Sequence, residues 1–65
     1  MHELSVWQAL LTQVTDLARN HRANAVHKIV IRVGPLAGVE PGLLLQAFPL
    51  ASAGTLAEAA ELVIE

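Results

Sequence analysis

Met1-His2-Glu3 carry the most concentrated chemistry in the chain. An imidazole stands one residue from a chain-start α-amine, and a carboxylate follows. An α-amine titrates close enough to neutrality for a useful fraction to be free to donate to a metal. The backbone nitrogen of His2 lies between amine and imidazole, so the three nitrogens can close two fused chelate rings on one ion. Only a strongly polarising cation displaces an amide proton, and nickel(II) and copper(II) do so in a square-planar nitrogen field. The amide of Glu3, or its carboxylate, supplies a fourth donor. Histidine is too large a second residue for ready removal of the initiator methionine, so Met1 is expected to stay. On the residues alone, a solvated chain start that binds nothing is the competing reading.

Composition narrows what else the chain can do. Its 65 residues allow one small domain, which at this size buries roughly 60% of the surface its unfolded chain exposes. Hydrophobic residues make up 54%, but Trp7 and Phe48 are the only aromatics, so Leu, Val, Ile and Ala must build the core. The absence of cysteine excludes a disulfide framework, a thiol nucleophile and a cysteine zinc site within these residues. Arg19, Arg22, Lys28 and Arg32 are too few to track a phosphate backbone, so no nucleic-acid partner is expected. No secretory signal and no apolar run of membrane-spanning length is visible, and the expectation is a cytoplasmic protein with no membrane role. Ser5 and Thr12 have no evident base partner and no phosphate loop is present, so no catalytic residue is assigned and an enzyme is not expected.

The elements that must position the chain start are legible from spacing. Leu4, Trp7, Leu10, Leu11, Val14, Leu17 and Ala18 recur in steps of three and four, which line one face of a first helix. Arg19-Asn20-His21-Arg22 suits its C-terminus, where cations meet the negative end of the dipole. Residues Val26 to Val33 are β-branched and alternating, which predicts a strand with Ile29, Ile31 and Val33 inward and Lys28, Val30 and Arg32 outward. Gly34-Pro35 ends it, and Leu36 to Val39 form a loop. Glu40-Pro41 reads as a helix entry with Pro41 at the first helical position, and Leu43, Leu44, Ala47 and Phe48 as the inner face. Pro49 is expected to kink or end that helix near Leu45 to Phe48, with a resumption through Ala51 and a cap at Gly54. Thr55 to Glu58 suggest a fresh cap and a short helical turn, and Leu62 to Ile64 a second strand.

The fold class is therefore α+β, with two helices packed on one face of a small β-sheet. Two strands leave open edges, so the sheet is either incomplete, as the N-terminal part of a longer protein, or completed by another chain in a homo-oligomer. His21 is explained by the helix end and His27 by a strand surface; Glu58, Glu61 and Glu65 read as a solvated face.

Four stretches together resemble the HypA/HybF family of nickel-insertion chaperones for hydrogenase maturation, and for urease in some organisms. They are Met1-His2-Glu3-Leu4-Ser5, the run Lys28 to Pro41 with its Gly38-Val39-Glu40-Pro41 loop, Ala47-Phe48, and Gly54 to Leu62. The resemblance implies nickel(II) held by the N-terminal amine, the backbone amides after it and the histidine, which carries onto Met1, His2 and Glu3. It also implies that Glu40 lies near that site as a second shell. As partners it implies the maturation GTPase HypB and the hydrogenase large-subunit precursor. Family members carry a zinc domain on two Cys-x-x-Cys pairs after the strand that here ends at Glu65, and a final strand that returns to the sheet. This sequence departs from that pattern: without cysteine it has no zinc site, Pro49 is unusual in the second helix, and Ala59 stands where glycine is common. The similarity is thus to the nickel-binding part alone.

Overall fold

The computed structural model describes residues 2–35 and 38–65, with the backbone alone at His2. Four elements follow in order: α1 (His2–Asn20), β1 (Lys28–Ile31), α2 (Pro41–Ser52) and β2 (Glu61–Ile64). The class is α+β, as the hydrophobic spacing indicates. Among the described residues no helix is long and apolar enough to cross a membrane.

β1 and β2 pair in parallel, with Lys28 opposite Glu61, Ile29 opposite Leu62, Val30 opposite Val63 and Ile31 opposite Ile64. Parallel strands need a long crossover, and α2 provides it. The ladder runs past the strands at both ends: Glu61 N–H donates to the His27 carbonyl at 2.9 Å and Glu65 N–H to the Ile31 carbonyl at 2.8 Å. Because side chains alternate across a sheet, one face carries Ile29, Ile31, Leu62 and Ile64. That face meets Trp7 and Leu11 of α1, Leu44 and Phe48 of α2, and Ala57 of the following turn in a single apolar core. The other face carries Lys28, Val30 and Glu61, all exposed.

Trp7 joins the two helices. It is fully buried, its Nε1–H donates to the Leu44 carbonyl at 2.8 Å, and its ring centroid lies 4.8 Å from that of Phe48 at a tilt of 50°. Burial of a large aromatic is strongly favourable only when its polar atom finds a partner, and both conditions hold here.

α1 ends in a Schellman arrangement: Ala23 N–H donates to the Ala18 carbonyl at 2.8 Å and Arg22 N–H to the Arg19 carbonyl at 3.0 Å. Arg22 takes the left-handed conformation this needs, with φ 57°. His21 Nδ1 lies 2.9 Å from the Leu17 carbonyl, a contact that keeps the ring at the helix end. α2 ends at Ser52 with extended Ala53 (φ −57°, ψ 130°) as its C-cap, and Gly54 (φ 77°) stands one residue beyond, in a turn that the Thr55 N–H closes on the Ser52 carbonyl at 3.0 Å; the expected glycine cap is thus replaced by a turn.

Four further expectations are corrected. α2 runs without a break through Pro49 to Ser52 instead of stopping near Leu45–Phe48. Pro49 and Leu45, four residues earlier, are both on the exposed face, where water can serve the carbonyl that loses its donor. Leu17 is 60% exposed, because the inward stripe of α1 passes through Val14 and Ala18 and leaves Leu17 at the rim of a groove with His21 and Val26. Leu43 is 46% exposed, because it stands one residue, about 100° of helix, from the buried Leu44. Thr55 to Glu58 form turns and not a helix: Glu58 N–H donates to the Thr55 carbonyl at 3.2 Å, and Thr55 Oγ1 accepts from Ala57 N–H at 3.1 Å.

Candidate metal centre

α1 begins at His2. The first turn of an α-helix has backbone N–H groups with no internal partner, so their use by a ligand breaks no helical hydrogen bond. Glu3 lies in that turn and is half-buried. Met1 and the His2 side chain, the first two expected ligands, lie outside the described residues, as do Leu36 and Ala37 of the loop. Among the described residues no group of three or more His, Cys, Asp or Glu side chains is gathered to hold a metal ion. The expected chelate is of a different kind, with the chain-start amine, backbone nitrogens and the His2 ring as its donors.

The direction of the helices decides what else lies near this end. Val6 and Leu10, early in α1, share a small cavity with Ile31 and Val33 at the end of β1 and with Val39 and Leu44. Val14, Leu17 and Ala18, late in α1, share a groove with Val26, Lys28 and Ile29 at the start of β1. α1 therefore runs opposite to β1. α2, the crossover between parallel strands, runs opposite to them as well, so the helices run the same way. The contacts between them agree: Trp7 meets Leu44 and Phe48, and Leu11 and Thr15 line a cleft with Ala51 and Thr55. Both helix starts thus lie at one end of the molecule, beyond the carboxyl ends of the strands.

Glu40 stands at the second of these starts. It is the N-cap of α2, with extended backbone (φ −88°, ψ 118°) followed by Pro41. Its Oε2 accepts the Leu43 N–H at 2.8 Å. An extended residue before proline and a side-chain oxygen on the third helical N–H are what a capped helix start requires. Two helix dipoles pointing the same way put partial positive charge at this end, each about +0.5. Glu3 and Glu40 are the acidic groups at the two starts, so the end that a bare cation would avoid carries carboxylates to offset it.

The other histidines lie elsewhere. His21 is at the opposite end of α1, and His27, exposed, precedes β1. Two features escape a reading of the sequence. Gly42 leaves the space in which the Glu40 carboxylate lies, and a Glu-Pro-Gly run at a helix entry is the available signal for it. The Trp7 indole N–H, beyond anchoring the core, fixes α1 against the backbone of α2 one turn after Glu40.

Comparison with known proteins gives one consistent result. The sequence pattern of the family described as "Hydrogenase/urease nickel incorporation, metallochaperone, hypA" matches residues 1–65. The chain is 51% identical over 65 residues to a hydrogenase maturation factor HypA of Aquifex aeolicus, covering all of this chain and 56% of that protein. It is 52% identical over 65 residues to the protein of the same name in Nitrosospira multiformis, again with 56% of the relative covered. A third, from Psychromonas ingrahamii, is 40% identical over 65 residues and 57% covered. The chain thus spans little more than half the length of these curated relatives.

Proposed function

The chain belongs to the HypA family of hydrogenase/urease nickel-incorporation metallochaperones, and on that premise we propose that residues 1–65 form one domain that carries nickel(II) at its start. Nickel is cargo here, held for delivery. The Met1 amine, the His2 backbone nitrogen and the His2 imidazole bind it, and Glu3 completes the donor set. Glu40 acts from the second shell through its charge. The observation that carries this reading is that α1 begins at His2, so the backbone nitrogens the chelate needs are free of helical hydrogen bonds. With no cysteine in the sequence no thiolate is available, and the amine, amide, imidazole and carboxylate donors named are a set that suits nickel(II) in a square-planar field. The role served is maturation of a nickel-containing hydrogenase, or of urease, in the cytoplasm. The partners are the GTPase HypB and the hydrogenase large-subunit precursor, and the domain acts without chemistry of its own.

The test is titration with nickel(II), followed by d–d absorption and by calorimetry. The parent is expected to bind one equivalent. His2→Ala, and separately a two-residue extension that converts the Met1 amine to an amide, are each expected to weaken binding at least tenfold while far-UV circular dichroism stays unchanged. Equal binding by His2→Ala would refute the assignment.

A second reading rests on the sheet. Among the described residues β1 and β2 pair only with each other, so both outer edges are open, and open edges template pairing with another chain. An assembly module built on strand pairing would show a mass that rises with concentration. A monomer throughout would rule it out.

A further inference from the structure

We infer that Gly42 is a positioning residue for the nickel-carrying end, because it provides the space that holds the Glu40 carboxylate in place; this rests on the function proposed above. A β-carbon on residue 42 would lie 2.9 Å from Glu40 Oε2 and 3.5 Å from Oε1. The first distance is closer than non-bonded carbon and oxygen tolerate, so any side chain at 42 must push the carboxylate away. The backbone on the other side is equally constrained, because Pro41 favours the extended conformation observed at Glu40. Glutamate has a long, freely rotating side chain, and an exposed one has no reason to stay folded over its own helix start. Here the Leu43 N–H, at 2.8 Å, draws it in and Gly42 leaves room for it.

Gly42 is not required by the backbone. Its φ is not in the left-handed region where glycine is favoured, and glycine within a helix is less favourable than alanine. The gain is the fixed carboxylate. Oε2 is occupied by the Leu43 N–H, and among the described residues Oε1 accepts no hydrogen bond. A negative charge is thus held at the start of α2, at the same end of the molecule as the start of α1, with one oxygen that accepts no hydrogen bond among the described residues. A carboxylate released into solvent would be averaged over many positions and screened.

A double-mutant cycle on the full 65-residue chain tests this. Parent, Gly42→Ala, Glu40→Ala and the double variant are compared by nickel(II) titration and by the amide chemical shift of Leu43 in metal-free protein. Since the clash is with the end of a flexible side chain, Gly42→Ala is expected to fold and to displace the carboxylate. The Leu43 amide should then shift in Gly42→Ala as it does in Glu40→Ala. Nickel affinity should fall about tenfold in each single variant, the lower range for loss of an outer-shell partner, and Gly42→Ala should have no further effect once Glu40 is alanine. An unmoved Leu43 amide in Gly42→Ala overturns the inference. So does a moved amide with unchanged nickel affinity, or an equal loss of affinity in both Glu40 backgrounds. A parent chain that takes up no nickel overturns the function reading, and this inference with it. A parent that binds while Gly42→Ala binds as well overturns the inference alone.

Discussion

α1 and α2 run side by side in the same direction, yet their starts are built differently. α2 opens with extended Glu40, Pro41 at the first helical position, and a carboxylate on the Leu43 N–H at 2.8 Å. α1 opens at His2, and no side chain among the described residues hydrogen-bonds to its first turn. Every helix start has unpaired N–H groups, and an unserved one costs stability. A helix start closed by its own carboxylate has little left to offer a ligand. One left open next to it can offer backbone nitrogens, with the neighbour's carboxylate supplying charge. On the proposed function, stability is invested in α2 and binding in α1, and the contact between the helices keeps the two starts together.

That contact gives the largest expected effect. Trp7 is fully buried, packed at a tilt against Phe48 and bonded to the Leu44 carbonyl. Trp7→Ala removes the ring, leaves a cavity and orphans a buried acceptor, for a loss of about 3–5 kcal/mol. A chain this small has a total stability on the order of 5 kcal/mol, so the variant is expected to be largely unfolded at 25 °C, as urea titration followed by circular dichroism would show. A cooperative transition near the parent midpoint would mean that Trp7 does not hold the two starts in register.

The next effect has the opposite sign and concerns the inner stripe of α2. Leu44, Phe48 and Ser52 recur every four residues and are all buried, yet Ser52 is polar. Its Oγ is buried and has no hydrogen-bond partner among the described residues. An unserved buried hydroxyl costs about 1–3 kcal/mol, and alanine is also the better helix former. Ser52→Ala is expected to stabilise the chain by about 1 kcal/mol, a rise in Tm of about 4–8 °C. Destabilisation instead would show that the hydroxyl has a partner, and that the stripe of α2 is less uniformly apolar than its spacing suggests.

The contrast between the helices also explains what the sequence could reveal. α1 alternates apolar and polar residues at helical spacing, so its extent was readable to within two residues at each end. α2 has leucines on every side, with Leu43, Leu45 and Leu50 all exposed, and periodicity cannot select an inner face from such a run. Its boundaries were readable instead through Glu40-Pro41 and Gly54, which act on the backbone. Pro49 misled because the penalty for proline is smallest where solvent reaches the freed carbonyl. Strand alternation in Val26 to Val33 identified Ile29 and Ile31 as inward, but nothing local marks a parallel partner; that follows from the length of the crossover. The candidate ligands could be named from residue chemistry and resemblance. Resemblance also implies Glu40 near them, but the residues alone do not, because bringing the two helix starts to one end of the molecule depends on the helices running the same way. Gly42 carries only the weak signal of a Glu-Pro-Gly run, since its role is space for another side chain.

The far ends of the helices provide the smallest and most direct test of whether the asymmetry is confined to the starts. Both helices are followed by a residue in the left-handed region: Gly54 (φ 77°) after α2 and Arg22 (φ 57°) after α1. For a residue with a β-carbon that conformation costs roughly 1–2 kcal/mol, and a cation near a helix C-terminus recovers about 0.3–1 kcal/mol. Arg22→Gly alone would mix the two terms, so Arg22→Ala serves as the reference, having lost the charge but kept the β-carbon. Glycine is expected to exceed alanine at position 22 by about 1 kcal/mol, and Gly54→Ala to cost a similar amount, both read from urea midpoints at equal slope. Equal differences would mean that a left-handed residue costs the same in the Schellman end of α1 as in the turn that follows α2, leaving the starts as the place where the helices diverge in energy. A much smaller difference at 22 would mean that the end of α1 relaxes its conformation when arginine is replaced, and that α1 is the more adaptable helix at both ends.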